Sequence, residues 1–309
     1  MALQLGYEHA LGAETGYGRY LVPIAQTLYR LYPERDFRVQ TIKSLGDRDK
    51  VSPISRFGSK GVFVAELESH LQQGKIDIAV HSLKDMPSED PVAFRIAAIP
   101  PRLDPRDVLI SARDTSFHDL SPGSRLGTGS PRRKAQLKAA RNDIEVLDIR
   151  GNIDTRMRKM EEGQYEGVVL AAAGLVRMGW KDRVTDYFPT HLCLPAVGQG
   201  ALAVEVRADD EETQRLVEPI DHTPTRRAVE AERSTLSSMG GGCLAPITAY
   251  ACYEDSNLVL RGMVADQATY QIIRAEVKSN GESSKELGLV LAEKLNSLGA
   301  ASMIASVER

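Results

Sequence analysis

Three short apolar runs, Ile76-Asp77-Ile78-Ala79-Val80, Glu145-Val146-Leu147-Asp148-Ile149 and Val168-Val169-Leu170-Ala171-Ala172, alternate with amphipathic stretches. This alternation constrains the fold more than any other feature. Runs of about five residues have the length of buried strands. The stretches Val62–Gln73, Pro131–Arg141 and Ile153–Glu162 carry the longer period of helices packed on one face. Strands separated by helices predict α/β layers with largely parallel sheets. Prolines at 87, 91, 100, 101 and 105 predict a crossover between two such domains near residue 100. After about residue 218 the pattern changes. A helix from Thr225 to Ser237 precedes strand-like Ile247–Tyr253 and Leu258–Ala265, and a helix from Ser284 to Leu298 follows.

A chain of 309 residues exceeds one compact core. The expected organisation is two α/β domains of the periplasmic-binding-protein kind joined by a hinge, plus a smaller C-terminal α+β domain. The first would comprise residues 1–100 and 200–217, the second 101–199 and the third 218–309. No apolar run reaches the roughly 18 residues that span a membrane. Met1–Glu8 has neither the basic start nor the apolar stretch of a secretory signal. Cys193, Cys243 and Cys252 lack paired close spacing, which predicts no disulfide framework and no zinc site. These features predict a cytoplasmic protein without a metal or a membrane as partner; a monomer that binds no nucleic acid is the expected state.

The net charge of −3 hides a local excess. Arg125, Arg132, Arg133, Lys134, Lys138 and Arg141 follow one another with no acid between them, and Arg150, Arg156, Arg158 and Lys159 form a second cluster interrupted only by Asp154. A cationic patch on an acidic chain predicts an anionic ligand held at one site rather than a surface that coats nucleic acid.

Three polar motifs fall at strand ends, where α/β sheets gather their ligands. His81-Ser82-Leu83-Lys84-Asp85-Met86-Pro87 puts a hydroxyl, an ammonium and a carboxylate in one turn; a polar turn stopped by proline is the plainer reading. In Gly127-Thr128-Gly129-Ser130-Pro131-Arg132-Arg133, Ser130 is placed to cap a helix and Pro131 to begin it. Free amides at a helix start attract anions, and two arginines there oppose the helix dipole unless a carboxylate or phosphate meets them. Asp148-Ile149-Arg150-Gly151-Asn152-Ile153-Asp154-Thr155-Arg156 repeats the logic of strand end, arginine, glycine turn and cap; Arg158 and Lys159 fit a solvated helix face better. No phosphate-binding Gly-x-x-x-x-Gly-Lys-Ser/Thr loop is present.

Finally, Gly240-Gly241-Gly242-Cys243 leaves backbone rather than side chains beside a thiol. Either the thiol carries a bulky covalent group, or the glycines make a turn beside an incidental cysteine.

In this order and spacing the motifs resemble those of the porphobilinogen deaminase (hydroxymethylbilane synthase) family. The match also takes in Gly46-Asp47, Gly58-Ser59-Lys60-Gly61-Val62-Phe63, Asp104-Pro105-Arg106-Asp107, Ala173-Gly174-Leu175-Val176-Arg177 and Leu194-Pro195-Ala196-Val197-Gly198-Gln199-Gly200-Ala201. The resemblance implies a transferase of tetrapyrrole and haem biosynthesis, with a dipyrromethane cofactor joined by a thioether to Cys243. Four porphobilinogen units would be added to it, each losing ammonia, and the linear tetrapyrrole released by hydrolysis. It implies Asp85 as the catalytic carboxylate. Lys60, Ser82, Lys84, Thr128, Ser130, Arg132, Arg133, Arg150, Gly151, Arg156, Arg177 and Gln199 would hold cofactor and substrate carboxylates.

This chain departs from the family where an Arg-Ile-Gly-Thr-Arg-x-Ser segment normally stands. Ungapped counting puts Gly12 at the second arginine and Glu14 at the serine, with Arg19 the cation left to compensate. Gly129 and Pro131 also stand where the family usually has Ser and Leu. A catalytically impaired homologue that binds a pyrrole polycarboxylate is the alternative these departures raise.

Overall fold

The computed structural model describes residues 9–14, 18–42, 62–87, 91–240 and 246–305. Lys60 and Cys243 lie outside these residues. One sheet contains β1 (His9–Glu14), β2 (Phe37–Ile42), β3 (Ile78–Ser82), β4 (Phe94–Ala98) and, from much later in the chain, β10 (Leu202–Arg207), in the order β2-β1-β3-β10-β4. A second contains β5 (Asp107–Ser111), β6 (Arg125–Gly127), β7 (Glu145–Leu147), β8 (Gly167–Ala171) and β9 (Asp186–Tyr187), in the order β7-β6-β8-β5-β9. The third is the antiparallel meander β11 (Ile247–Glu254), β12 (Asn257–Ala265) and β13 (Ile272–Lys278). The fold is mixed α/β, with a separate C-terminal α+β part. It forms two compact units, Met1–Arg102 with Ala201–Arg226, and Leu103–Gly200 with Arg227–Arg309.

The two five-stranded sheets share one wiring. In each, three parallel strands are followed by a reversed strand, β10 or β5, which pairs antiparallel on both sides. The expectation of largely parallel sheets is therefore corrected to mixed ones. The reason is topological. A parallel successor needs a helix to carry the chain back to the strand's starting edge. β5 and β10 instead follow direct crossings that arrive at the carboxyl edge, so they run the other way.

The expected strand at 76–80 begins later, at Ile78. Arg207 accounts for the shift: its Nη1 donates to the carbonyls of Ile76 (2.7 Å) and Leu71 (3.2 Å), and its Nη2 to Asp77 at 2.6 Å. Those groups serve the turn after α2 (Val62–Gln72) and not the ladder. At its other end the strand extends further than expected, because His81 and Ser82 pair with Ala203 and Leu202 of β10.

Burial follows the strand period. Val108, Ile110, Val168 and Leu170 face Ile149, Met157 and Met160, while Leu109 and Val169 face Phe117, Leu137 and Phe188. β5 and β8 are thus covered on both faces, as their apolar runs require. In the first sheet Ile78, Val80, Val204 and Val206 pack with Ile24, Ala25 and Leu28 of α1 (Gly18–Leu31). The helices α3 (Pro131–Ala140), α4 (Ile153–Glu161) and α5 (Ala172–Met178) serve the second sheet. α6 (Glu211–Val217) returns to the first.

The third sheet packs against α7 (Thr223–Ser238) and α8 (Ser284–Ser297), followed by α9 (Ala300–Ala305). α8 begins with a reciprocal Ser283–Glu286 capping box and buries Leu287, Leu291 and Leu295 at helical spacing. Glu232 of α7 is fully buried, and its two oxygens accept from Gly198 N (2.7 Å) and Ala251 N (2.8 Å). One carboxylate thereby ties the third sheet to the segment that precedes β10.

α7 and α8 touch through glycine. A Cβ on Gly288 would lie 2.5 Å from both the Ala231 carbonyl oxygen and Ser234 Cβ. Thr235 Oγ1 donates to the Gly288 carbonyl at 3.1 Å across the same crossing. Gly288→Ala should destabilise the protein by about 1–3 kcal/mol through overpacking, despite alanine's better helix propensity. Urea unfolding followed by circular dichroism should show a lower midpoint at unchanged slope.

Candidate functional site

The wiring puts most of the expected site residues at the carboxyl edges of two sheets. In the second, β6, β7 and β8 end at Gly127, Leu147 and Ala171, and β5 starts beside the last of these because Asp107 pairs with Ala171. Thr128 N donates to the Leu147 carbonyl at 2.9 Å, and a Cβ on Gly129 would come within 3.0 Å of the Ile149 carbonyl oxygen. The 127–133 and 148–156 motifs therefore lie side by side, and the glycine at 129 is what the close approach allows.

Both helix starts are built as their sequences indicate. Ser130 accepts from Arg133 N at 3.4 Å, with Pro131 as the first residue of α3. Asn152 Oδ1 accepts from Thr155 N at 3.0 Å at the start of α4. Gly151 has φ +108° and no room for a Cβ, which would meet Thr155 Cγ2 at 2.6 Å. Arg156 Nε donates to the Gly151 carbonyl at 2.7 Å, and Lys159 reaches the Arg150 carbonyl at 3.4 Å. Arg150 is exposed and Arg156 half-buried. Arg177 of α5, also half-buried, donates to the Gly200 carbonyl at 2.9 Å.

The paired arginines of α3 meet a carboxylate that the chain itself supplies. Arg132 Nη1 is 2.7 Å from Asp107 Oδ2, and Arg133 approaches Oδ1 with Nη2 at 2.7 Å and Nε at 2.9 Å. Arg132 also donates to the Leu194 carbonyl (2.6 Å), and Arg133 to that of Val169 (2.9 Å). Gln199 Nε2 donates to Asp107 Oδ1 at 2.9 Å and to the Pro105 carbonyl at 2.6 Å. All four residues are buried. Burial alone would lift the Asp107 carboxyl, but the charges of Arg132 and Arg133, aided by hydrogen bonds from Arg132 and Gln199, hold it well below the carboxylate range. Two guanidinium charges against one carboxylate leave one unit of positive charge at the start of α3. Cys193, its Sγ 3.3 Å from Asp107 Oδ2, is buried beside them. Burial and the Asp107 charge push its thiol up to about 12, so it stays protonated and unreactive.

In the first sheet, β3 leads directly into the 3₁₀ turn Leu83–Asp85. β10 fixes that turn at its base, through the Leu202–Ser82 pairing and a hydrogen bond from Leu83 N to the Ala201 carbonyl at 3.1 Å. Leu83 anchors the turn in the interior while Lys84 and Asp85 reach solvent. Protein packed around Asp85 pushes its carboxyl above the usual value, and solvent contact screens part of that lift. Lys84, a hydrogen bond from Ser82 and the charge of His81 pull the other way. Backbone pairing places Gly12 of β1 beside Ala79 and Glu14 beside Ile42, so the divergent N-terminal segment runs along β3.

Sequence reading assigned no role to Asp107, Glu205 or Glu232. The signal was available for two of them. Asp107 opens, and Glu205 interrupts, an otherwise apolar run, Asp107-Val108-Leu109-Ile110 and Leu202-Ala203-Val204-Glu205-Val206. A charge inside a doubly covered strand must have a buried partner. Among the described residues no group of three or more His, Cys, Asp or Glu side chains is placed to hold a metal ion, and no helix is long and apolar enough to cross a membrane.

Asp107→Asn would leave two buried guanidinium groups without a counter-charge, and should cost about 3–5 kcal/mol of stability. The pH dependence has a definite sign. The folded carboxyl lies below its unfolded value of about 3.9, so its contribution is complete above that pH and fades as pH falls further. The difference in unfolding free energy between wild type and variant should be flat from neutrality down to about pH 5 and shrink only in stronger acid.

Comparison with known proteins places this geometry in a family. Among solved structures, the methionine binding protein MetQ aligns with 68% of the chain and 88% of its own, at TM-score 0.43 and 11% identity. Two sequence models match in tandem: "porphobilinogen deaminase, dipyromethane cofactor binding domain" over residues 23–215, and "porphobilinogen deaminase, C-terminal domain" over residues 226–297. Porphobilinogen deaminase of Syntrophus aciditrophicus is 45% identical over 272 residues, covering 88% of this chain and 89% of its own. That of Brevibacillus brevis is 46% identical over 278 residues, covering 90% and 89%. The chain belongs to the porphobilinogen deaminase family.

Proposed function

We propose that this member of the porphobilinogen deaminase family is a transferase that condenses four porphobilinogen units head to tail on a dipyrromethane primer and then releases hydroxymethylbilane by hydrolysis. We assign the thioether to Cys243, catalysis to Asp85, and carboxylate binding to the lysines, arginines and hydroxyls of the strand-edge motifs. The single observation that carries the assignment is the cationic edge of the second sheet. There Arg150, Arg156 and Arg177 flank an Arg132–Arg133–Asp107 cluster that keeps one positive charge.

A chain of six pyrroles, each with an acetate and a propionate, carries about twelve carboxylates, and charge-assisted hydrogen bonds are the strong means of holding them. The cationic edge suits such a polyanion, which is the test these residues can offer of the cofactor. When bound, the dipyrromethane supplies the pyrrole carbon to which the first substrate joins. The remaining work falls to side chains. A carboxylate at Asp85 can accept pyrrole N–H bonds and stabilise the positive charge that develops on porphobilinogen as ammonia departs. Its lifted pKa also brings it closer to neutrality, where proton transfer is efficient. Ser82 and Lys84 keep the carboxyl oriented and partly compensated. Arg132 and Arg133, already engaged with Asp107, contribute a fixed field, and Gln199 holds that cluster in place.

We further propose three domains, 1–100 with 200–217, 101–199 and 218–309, and a cytoplasmic monomer that binds no nucleic acid. The crossings near residues 100 and 200 are the natural hinge positions, since lengthening a product at one fixed centre needs movable parts.

Intact mass of the purified protein tests this reading. Wild type should carry an added mass of two condensed porphobilinogen units, and Cys243→Ser should lack it. A wild-type protein that is unmodified and stays unmodified when given porphobilinogen would sink the assignment. Asp85→Asn should retain the adduct and lose turnover by at least about a hundredfold, measured as porphobilinogen consumption. Turnover near wild type in that variant would remove Asp85 from the chemistry.

A further inference from the structure

A buried His–Glu pair stands directly behind the Asp85 turn. His81 Nε2 lies 2.9 Å from Glu205 Oε2, with side-chain exposures of 2% and 1%. The ladder explains how they meet. His81 pairs with Ala203 and Glu205 with Ala79, so the two share one face as diagonal neighbours within reach of long side chains.

The sheet does not need this pair. The buried neighbours on both strands are apolar, namely Ile78, Ala79, Val80, Ala203, Val204 and Val206. Two packed apolar residues would serve a sheet interior as well as a buried polar pair or better, because desolvating polar groups costs free energy that their pairing commonly does no more than return. What distinguishes the pair is its place. His81 is the buried residue next to Ser82, and the turn it leads into carries Asp85 four residues further on. His81 lies near enough to the Asp85 carboxyl to act on it electrostatically. Glu205 stands on the same β10 that fixes the turn through Leu202 and Ala201.

We propose that Glu205 and His81 are positioning residues, a buried dyad that fixes the imidazole under the Ser82–Asp85 turn and so sets the orientation of the catalytic carboxylate. The dyad touches no substrate and acts through Asp85, so the proposal rests on the functional reading above. Loss of Glu205 as a partner frees the ring to rotate, loosens the base of the turn and leaves the substrate-binding cations of the second sheet untouched. Turnover should therefore suffer and substrate affinity should not.

The test compares wild type, Glu205→Gln, His81→Gln and the double variant for kcat, KM, adduct mass and thermal midpoint. Each single variant should carry the adduct and lose kcat by about tenfold or more with KM within about twofold. The double variant should be no worse than the worse single one, since both changes break one coupled unit. A folded, adduct-bearing Glu205→Gln with kcat within about twofold of wild type would overturn the dyad. So would a loss of kcat matched by an equal rise in KM. If Glu205→Gln does not fold, His81→Gln decides, because its amide can still donate to Glu205. Failure of both to fold would make the pair a fold determinant and overturn the proposal equally. Wild type consuming no porphobilinogen would defeat the functional reading instead, whereas active wild type beside equally active variants defeats only the dyad.

Discussion

Asp107 is where the second unit is held together. Its two oxygens collect Arg132, Arg133, Gln199 and the Cys193 thiol, and so join the first residue of β5, the start of α3 and the segment returning from β9. Each partner is otherwise awkward. Arginines at a helix start oppose its dipole, and a buried carboxylate is costly alone. Together they satisfy one another. The cluster also extends outward. Gln136, one turn along α3, accepts from Leu194 N at 2.8 Å and from Arg274 of β13 at 3.0 Å, which draws the third sheet into the same network.

This interaction separates two kinds of cation that look alike in the sequence. Arg132 and Arg133 are buried and matched to an internal acid, so they supply a fixed field and hold the scaffold. Arg150 is exposed on a glycine turn, and Arg156 reaches back to that turn's carbonyl. We propose that a polycarboxylate would engage the second kind directly. The first kind keeps the edge positive, because one carboxylate cannot neutralise two guanidinium groups.

Local signals made much of this legible. The caps at Ser130 and Asn152, the helices that follow and the strands at 145, 168, 247 and 258 stand within about two residues of their expected places. Capping chemistry and apolar period are written in neighbouring residues. What stayed hidden depends on residues far apart in the chain. Strand direction in β5 and β10 follows from the crossings, not from their composition. The start of β3 follows from Arg207, some 130 residues away. β13 is weakly marked in the sequence because its exposed charges, Arg274, Glu276 and Lys278, dilute the alternating Ile273, Ala275 and Val277. Asp107 stands in the Asp104-Pro105-Arg106-Asp107 motif, yet its partners lie 25 to 92 residues away.

The placement of β10 between β3 and β4 bears on how the chain is made. β4 finds no neighbour in its own sheet until Leu202–Arg207 exists, roughly a hundred residues after Ala98. As the polypeptide leaves the ribosome, β1 to β4 are complete in sequence but incomplete as a sheet, and the edges of β3 and β4 wait open. The second sheet has no such gap, because β5 to β9 are contiguous from Asp107 to Tyr187. The half synthesised second can therefore close first. The half that carries Asp85 is finished only when the chain returns, and the strand that finishes it brings Glu205 to His81 at the same moment.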